Sequence, residues 1–265
     1  MPSRPIRLVA CVGVKSNPHL LSHFLEHYHG LGVDEFLVVL HAEPGDARAD
    51  DARRRLERWG VRPVREIAEY SARLKRDHCA EVVRRYCEPQ SWVVYADLDE
   101  FQIYPDGLHA ALDEHERRGR RFVRGRLVDR LAPGGALIDI QPEPTLWEQF
   151  PLSLPLTRDL VGGWDRKVCA ARACVPIADG GAHAVRRGYT PRWDYRLTHY
   201  LPRIGERRID IHHFKWDSTL PQRVREKLEG RGGDVDRWHG EGFIREYQRL
   251  HDHLRREGRI RVPGE

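Results

Sequence analysis

Apolar positions along the first hundred residues fall into blocks whose spacing alternates between strand and helix. Residues 6–14 (IRLVACVGV) are an apolar run of strand length, and Lys15-Ser16-Asn17-Pro18 after it is loop chemistry that also caps a helix. The predicted helix covers 18–30, with Leu21, Phe24, Leu25, Tyr28 and Leu31 on one face to pack on a sheet. His19, His23 and His27 recur at every fourth position on the other side. That spacing suits a shared metal, but away from the apolar stripe a solvated face is the expectation. Gly32-Val33-Asp34 turns the chain into a second strand at 35–40, followed by an Arg-rich helix at 47–59 and a short strand at 61–67. A helix at 70–86 and a fourth strand at 92–96 follow. This alternation implies right-handed βαβ crossovers, hence an α/β fold with a Rossmann-like, mostly parallel central sheet flanked by helices.

The second half is less regular. Pro105 and Asp106 open a helix that ends near Gly119, and 122–131 alternates as a strand. Residues 133–155 are rich in Pro and Gly and hold Trp147 and Phe150, a composition expected of substrate-facing loops or a lid. Strands are predicted at 168–175 and 209–214. Ser218-Thr219-Leu220-Pro221 starts a helix ending at Gly230. A terminal helix places Phe243, Ile244, Tyr247, Leu250 and Leu254 on one face. With no internal repeat and no linker, one domain over 1–265 is the economical reading.

Composition narrows the partners. The 265 residues are 40% hydrophobic and 32% charged, with a formal charge of +5. The sequence pI is near 9.0. The excess arginine is scattered over many predicted helices with no dense basic block, which favours anionic ligands such as phosphates over nucleic acid. The apolar N-terminal run is shorter than a membrane span and lacks a signal-peptide cleavage pattern, so a cytoplasmic protein is expected. Cys11, Cys79, Cys87, Cys169 and Cys174 contain no CxxC and read as free thiols.

One stretch carries more chemistry than the rest. In 91–101 (SWVVYADLDEF) an apolar run ends in three carboxylates within four residues, Asp97, Asp99 and Glu100. The run reads as a central strand, and carboxylates at its carboxyl end lie where open α/β sheets bind ligands. Oxygen donors there suit Mg²⁺ or Mn²⁺, which keep positions open for phosphate oxygens. A solvated acidic turn is the other reading.

Three motif regions resemble a family 2-type glycosyltransferase of the GT-A fold, nearest to the bacterial group related to family 92. Lys15-Ser16-Asn17, with His23 to Tyr28 and the Gly32-Val33-Asp34 turn, resembles the family's opening loop and helix. Trp92 through Phe101 resembles its DxDEF signature. His212-His213-Phe214 with Lys227-Leu228-Glu229-Gly230 resembles its C-terminal histidine and following helix. Ser16-Asn17-Pro18 departs from the family's acidic continuation, and His41-Ala42-Glu43 stands where an acid is usual after the second strand.

The resemblance implies a nucleotide diphosphate sugar donor, a hydroxyl acceptor (a small molecule for a chain of this size), Mn²⁺ or Mg²⁺, and inversion. It also implies a nucleotide-binding half over about 1–105 and an acceptor half over about 106–265. Asp99 is the expected direct metal ligand, Asp97 a ligand of ribose or of the metal through water, and Glu100 an orienting group. His213 is a further metal candidate or, equally, a hydrogen-bonded core histidine, with His212 on the opposite face. Lys15, Arg76, Lys167 and Lys227 are candidate diphosphate cations or plain surface charges. Asp165, in Gly162-Gly163-Trp164-Asp165, is the best-placed candidate base, with Trp164 beside it to stack on a sugar. Asp159 and Asp179 stay open as bases. Hydrolysis of the donor or another phosphate-centred conversion on the same fold, and a catalytically dead sugar- or nucleotide-binding partner, are the rival functions.

Overall fold

Four parallel strands built from the apolar blocks form one half of a single sheet. In the computed structural model, which describes residues 5–186, 209–230 and 240–262, these are β1 (Arg7–Gly13), β2 (Glu35–His41), β3 (Arg65–Ile67) and β4 (Trp92–Tyr95). Helices α1 (Pro18–Gly30), α2 (Arg48–Glu57) and α3 (Ala72–Tyr86) connect them. Local chemistry explains two helix starts. The Asn17 side chain accepts from the His19 N–H at 2.9 Å with Pro18 in the first turn, and Ser71 Oγ accepts from the Leu74 N–H at 3.1 Å. Met1 to Arg4 lie outside the described residues.

The second half supplies β5 (Glu100–Ile103), α4 (Leu108–Arg117), β6 (Phe122–Leu131), α5 (Leu146–Gln149) and β7 (Leu152–Leu154). A π-helical turn (Thr157–Val161), β8 (Arg166–Arg172), β9 (Ile209–His213), α6 (Leu220–Leu228) and α7 (Gly240–Glu257) follow. The side chain of Phe243, expected on the apolar face of α7, lies outside the described residues. No described helix is long and apolar enough to cross a membrane.

The strands run in the order β3-β2-β1-β4-β8-β6-β9-β5, with β7 added to β6. Pairing is parallel from β3 through β4, antiparallel at β4–β8 and β6–β8, parallel again at β6–β9 and antiparallel at β5–β9. Strand order reverses direction at β1, with β2 on one side and β4 on the other. The carboxyl ends of those strands therefore form the switch point where such sheets take ligands.

Two expectations change at the level of packing. His27 is not solvated, because its Nε2 lies 3.0 Å from the Gln102 carbonyl and its ring packs on Phe101 at 5.2 Å between centroids. Phe150 and Trp147, expected in a substrate-facing loop, pack inward against the core. Phe150 is fully buried, and Trp147 packs against Phe101, Phe214 and His212, so the Pro/Gly-rich stretch delivers core aromatics behind β5.

Candidate active site

Strand register, more than any loop, assembles the chemistry. β4 ends at Tyr95, and the turn Ala96 to Asp99 closes through the Glu100 N–H donating to the Asp97 carbonyl at 2.9 Å. The chain then re-enters the sheet as β5. Its first residue Glu100 sits directly opposite His213 of β9, and His213 is in turn aligned with Asp129 of β6. Directly opposed residues share a sheet face. Glu100, His213 and Asp129 therefore form a row across three strands, with Asp99 at its edge.

Two clusters result. In the first, Asp99, Glu100 and His213 bring one ligand atom each to within 4.8 Å of one another. His213 Nε2 stands 3.5 Å from Asp99 Oδ2, and His213 Nδ1 lies 3.0 Å from Asp129 Oδ1. Burial disfavours a charged His213, yet the Asp99 charge and the hydrogen bonds to Asp129 and Asp99 outweigh it and push the imidazole up to about 9. Burial works against Asp99 in the same way, and the charge of His213 overcomes it, holding the carboxyl well below its ordinary range.

In the second cluster Asp97 is gripped by two ammonium groups. Lys75 Nζ bonds Asp97 Oδ1, and Lys167 Nζ donates to Asp97 Oδ2 at 2.9 Å while also bonding Glu100 Oε1. Against burial, Lys167 and then Lys75 hold the Asp97 carboxyl far down. Burial pushes Glu100 up, opposed by Lys167 and reinforced by Asp97. With both oxygens of Asp97 engaged, the candidate ligand set is Asp99, Glu100 and His213, and Asp97 stands beside it.

The remaining predicted residues spread along the carboxyl edge. Lys15 Nζ pairs with Glu43 Oε1 at 2.9 Å on the surface. The Arg76 guanidinium turns to Asp77 at 2.7 Å. Lys227 Nζ lies 5.4 Å from the centroid of the Tyr70 ring. Asp165 accepts from Arg126 Nε at 2.8 Å, next to Trp164, which is 62% exposed. Asp159 pairs with Arg158, and the Asp179 carboxylate caps its own loop by accepting from the N–H groups of Gly181, His183 and Ala184. His212 faces away from His213, as expected, and its Nδ1 accepts from Trp147 Nε1 at 2.6 Å.

Sequence reasoning missed Lys75 and Asp129. Lys75 sits one position before the chosen Arg76, a rotation of about 100° on a helix that decides which cation faces β4. Asp129 did leave a signal, since it occupies the apolar face of β6 with Val123, Leu127 and Leu131, where an acid must have partners.

No family model and no curated protein matches the sequence. Among solved structures, TarS of S. aureus aligns over 95% of this chain and 44% of its own at 10% identity and TM-score 0.38. The chain thus spans under half of that protein. Glucosyl-3-phosphoglycerate synthase from Mycobacterium tuberculosis, in complex with Mg²⁺ and uridine diphosphate, aligns over 64% of this chain and 57% of its own at 16% identity and TM-score 0.34. A 4-diphosphocytidyl-2C-methyl-D-erythritol synthase aligns over 74% and 98% at 17% identity and TM-score 0.34. The likeness is faint in each case, and the chemistry of this chain rests on its own residues.

Proposed function

We propose that the protein transfers a sugar from a nucleotide diphosphate sugar to a hydroxyl of a small-molecule acceptor, with inversion and with the help of Mn²⁺ or Mg²⁺. The observation that carries this reading is the convergence of Asp99, Glu100 and His213 within 4.8 Å beside the switch point. Two carboxylates and an imidazole are a donor set that fits Mn²⁺, and Mg²⁺ through the oxygens. A divalent ion held there would supply Lewis acidity to the departing diphosphate.

The chain's own groups supply the rest. Lys75 and Lys167 fix Asp97 and Glu100, so the acidic turn keeps its shape while charge on the donor changes. Asp97 is set beside the ligand cluster, where it would meet the ribose. Lys15, Arg76 and Lys227 would take up remaining diphosphate charge by exchanging their present partners. Asp165 would accept the proton of the acceptor hydroxyl, once Arg126 yields it, while the exposed face of Trp164 would receive a sugar ring.

The test is thermal shift with uridine and guanosine diphosphates and their sugars, each with and without Mn²⁺. A shift that needs both nucleotide and metal, and is lost in Asp99→Ala, is the expected result. Nucleotide binding indifferent to the metal would point to a non-catalytic binding partner. Sugar release with no transfer to any acceptor would point to donor hydrolysis.

A further inference from the structure

Asp129 is the buried acid that this scheme leaves without a task. It is fully buried, and a carboxylate removed from water is tolerated only when its lone pairs are met by donors. Four donors meet them. Oδ1 accepts from Trp216 Nε1 at 2.8 Å, from Thr157 Oγ1 at 2.8 Å and from His213 Nδ1 at 3.0 Å, and Oδ2 accepts from the Thr157 backbone N–H at 2.6 Å. Indole and backbone N–H groups can only donate, so the carboxylate is an acceptor on both oxygens. With that carboxylate ionised, held low against burial by its hydrogen bonds, its neighbour on β9 donates from Nδ1, whether or not the other ring nitrogen carries a proton. What is left to face Asp99 is Nε2.

We propose that Asp129 is a positioning residue of the candidate metal centre: by holding Nδ1–H of His213 it fixes the ring and presents Nε2 to the space between Asp99 and Glu100. This rests on the metal reading of those residues. The geometry argues for more than core packing, because the β6–β9 register puts acid and imidazole side by side. The opposite ring edge already points at Asp99. Carboxylates that orient a ligating imidazole in this way generally raise metal affinity about 10- to 100-fold.

Two measurements separate this proposal from the reading beneath it. In metal-free protein, NMR of ¹⁵N-histidine-labelled chain should show an exchange-protected, hydrogen-bonded Nδ1 proton for His213; its absence from the wild type overturns the proposal without any variant. Mn²⁺ titration followed by electron paramagnetic resonance should then show affinity weakened about 10- to 100-fold in Asp129→Asn, with the Nδ1 resonance lost. Trp216→Phe removes a different donor from the same oxygen. It should lower stability while leaving Mn²⁺ affinity within about threefold, and equal weakening in the two variants would reduce Asp129 to a packing role and sink the proposal. If His213→Ala binds Mn²⁺ as the wild type does, His213 is no ligand and the proposal falls together with the metal reading, whatever the Nδ1 resonance shows.

Discussion

Two adjacent histidines show how far a single residue's chemistry is set by the face it occupies. His213 looks into the acidic cluster and is pushed up to about 9, whereas burial and then the Arg130 charge push His212, one position earlier, down to about 4. For His212 the folded value lies below the unfolded 6.5, so the unfolded chain binds more protons between them. Stability contributed by the neutral ring is therefore complete above about 6.5 and is lost as pH falls toward 4. Discounted for its partial exposure, the loss should be on the order of 2 kcal/mol. Urea unfolding at several pH values should show that slope in the wild type and a flatter one in His212→Gln. Lys167, 4% exposed between Asp97 and Glu100, is the other decisive residue. Lys167→Ala removes the ammonium that bridges Asp97 and Glu100 and leaves Lys75 on Asp97 alone, and should cost about 3–5 kcal/mol in chemical denaturation. Asp97, Asp99, Glu100, His213 and Lys167 could be picked out in the sequence because charge or imidazole at either end of an apolar run is conspicuous. Lys75 could not, since only the phase of α3 distinguishes it from its neighbour.

Among the elements, α1 and β6 were fully legible and β1, β2 and β4 nearly so, because apolar period and length agree there, whereas of the strand expected over 61–67 only Arg65–Ile67 pairs as β3. β5 was not. Glu100 to Ile103 is too short to show alternation, and it becomes a strand only by pairing with β9, more than a hundred residues away. β8 begins at Arg166 instead of 168, which brings Lys167 into the strand and aims it at the acids. Residues 133–155 read as loop, yet they contain α5, opened by a capping box between Thr145 and Glu148, and lead into β7. Close strand packing beside Lys167 depends on Gly125 of β6, its ladder partner. A Cβ there would stand 2.6 Å from Cys169 Sγ, 2.8 Å from Ile211 Cγ1 and 3.0 Å from the Ile209 carbonyl oxygen. Gly125→Ala should therefore destabilise by about 1–3 kcal/mol. It should also weaken Mn²⁺ binding, because β8 and β9 must part, and calorimetry on the same sample reads both effects.

For the whole molecule, the alternation of the first hundred residues implied the parallel β1–β4 half, and the structure has it. What lay beyond local pattern was the far side of the sheet, where β8 enters antiparallel to β4 and β9 enters parallel to β6. No short-range signal encodes such pairings, since they are fixed by which faces bury together. A consequence at this scale concerns the metal. If the ion binds the folded chain alone, Mn²⁺ at about 100 times its dissociation constant should add about 2.7 kcal/mol of stability. That is several degrees in melting temperature for a chain of this length. Asp99→Ala should abolish the increment, which scanning calorimetry would show.

The outermost described strand on the site side is β5. Its free edge is occupied from α1: Tyr28 Oη donates to the Glu100 carbonyl at 2.9 Å and accepts from the Gln102 N–H at 3.2 Å, while His27 Nε2 meets the Gln102 carbonyl. Side chains thus stand where another strand would dock, and this has a bearing on how copies of the protein behave toward one another. An uncovered edge templates strand addition from a second molecule. Paired removal of these caps, as in His27→Ala with Tyr28→Phe, should turn a concentration-independent solution into one whose light scattering climbs with protein concentration. An unchanged scattering profile would mean that the short length of β5 suffices to keep neighbours away.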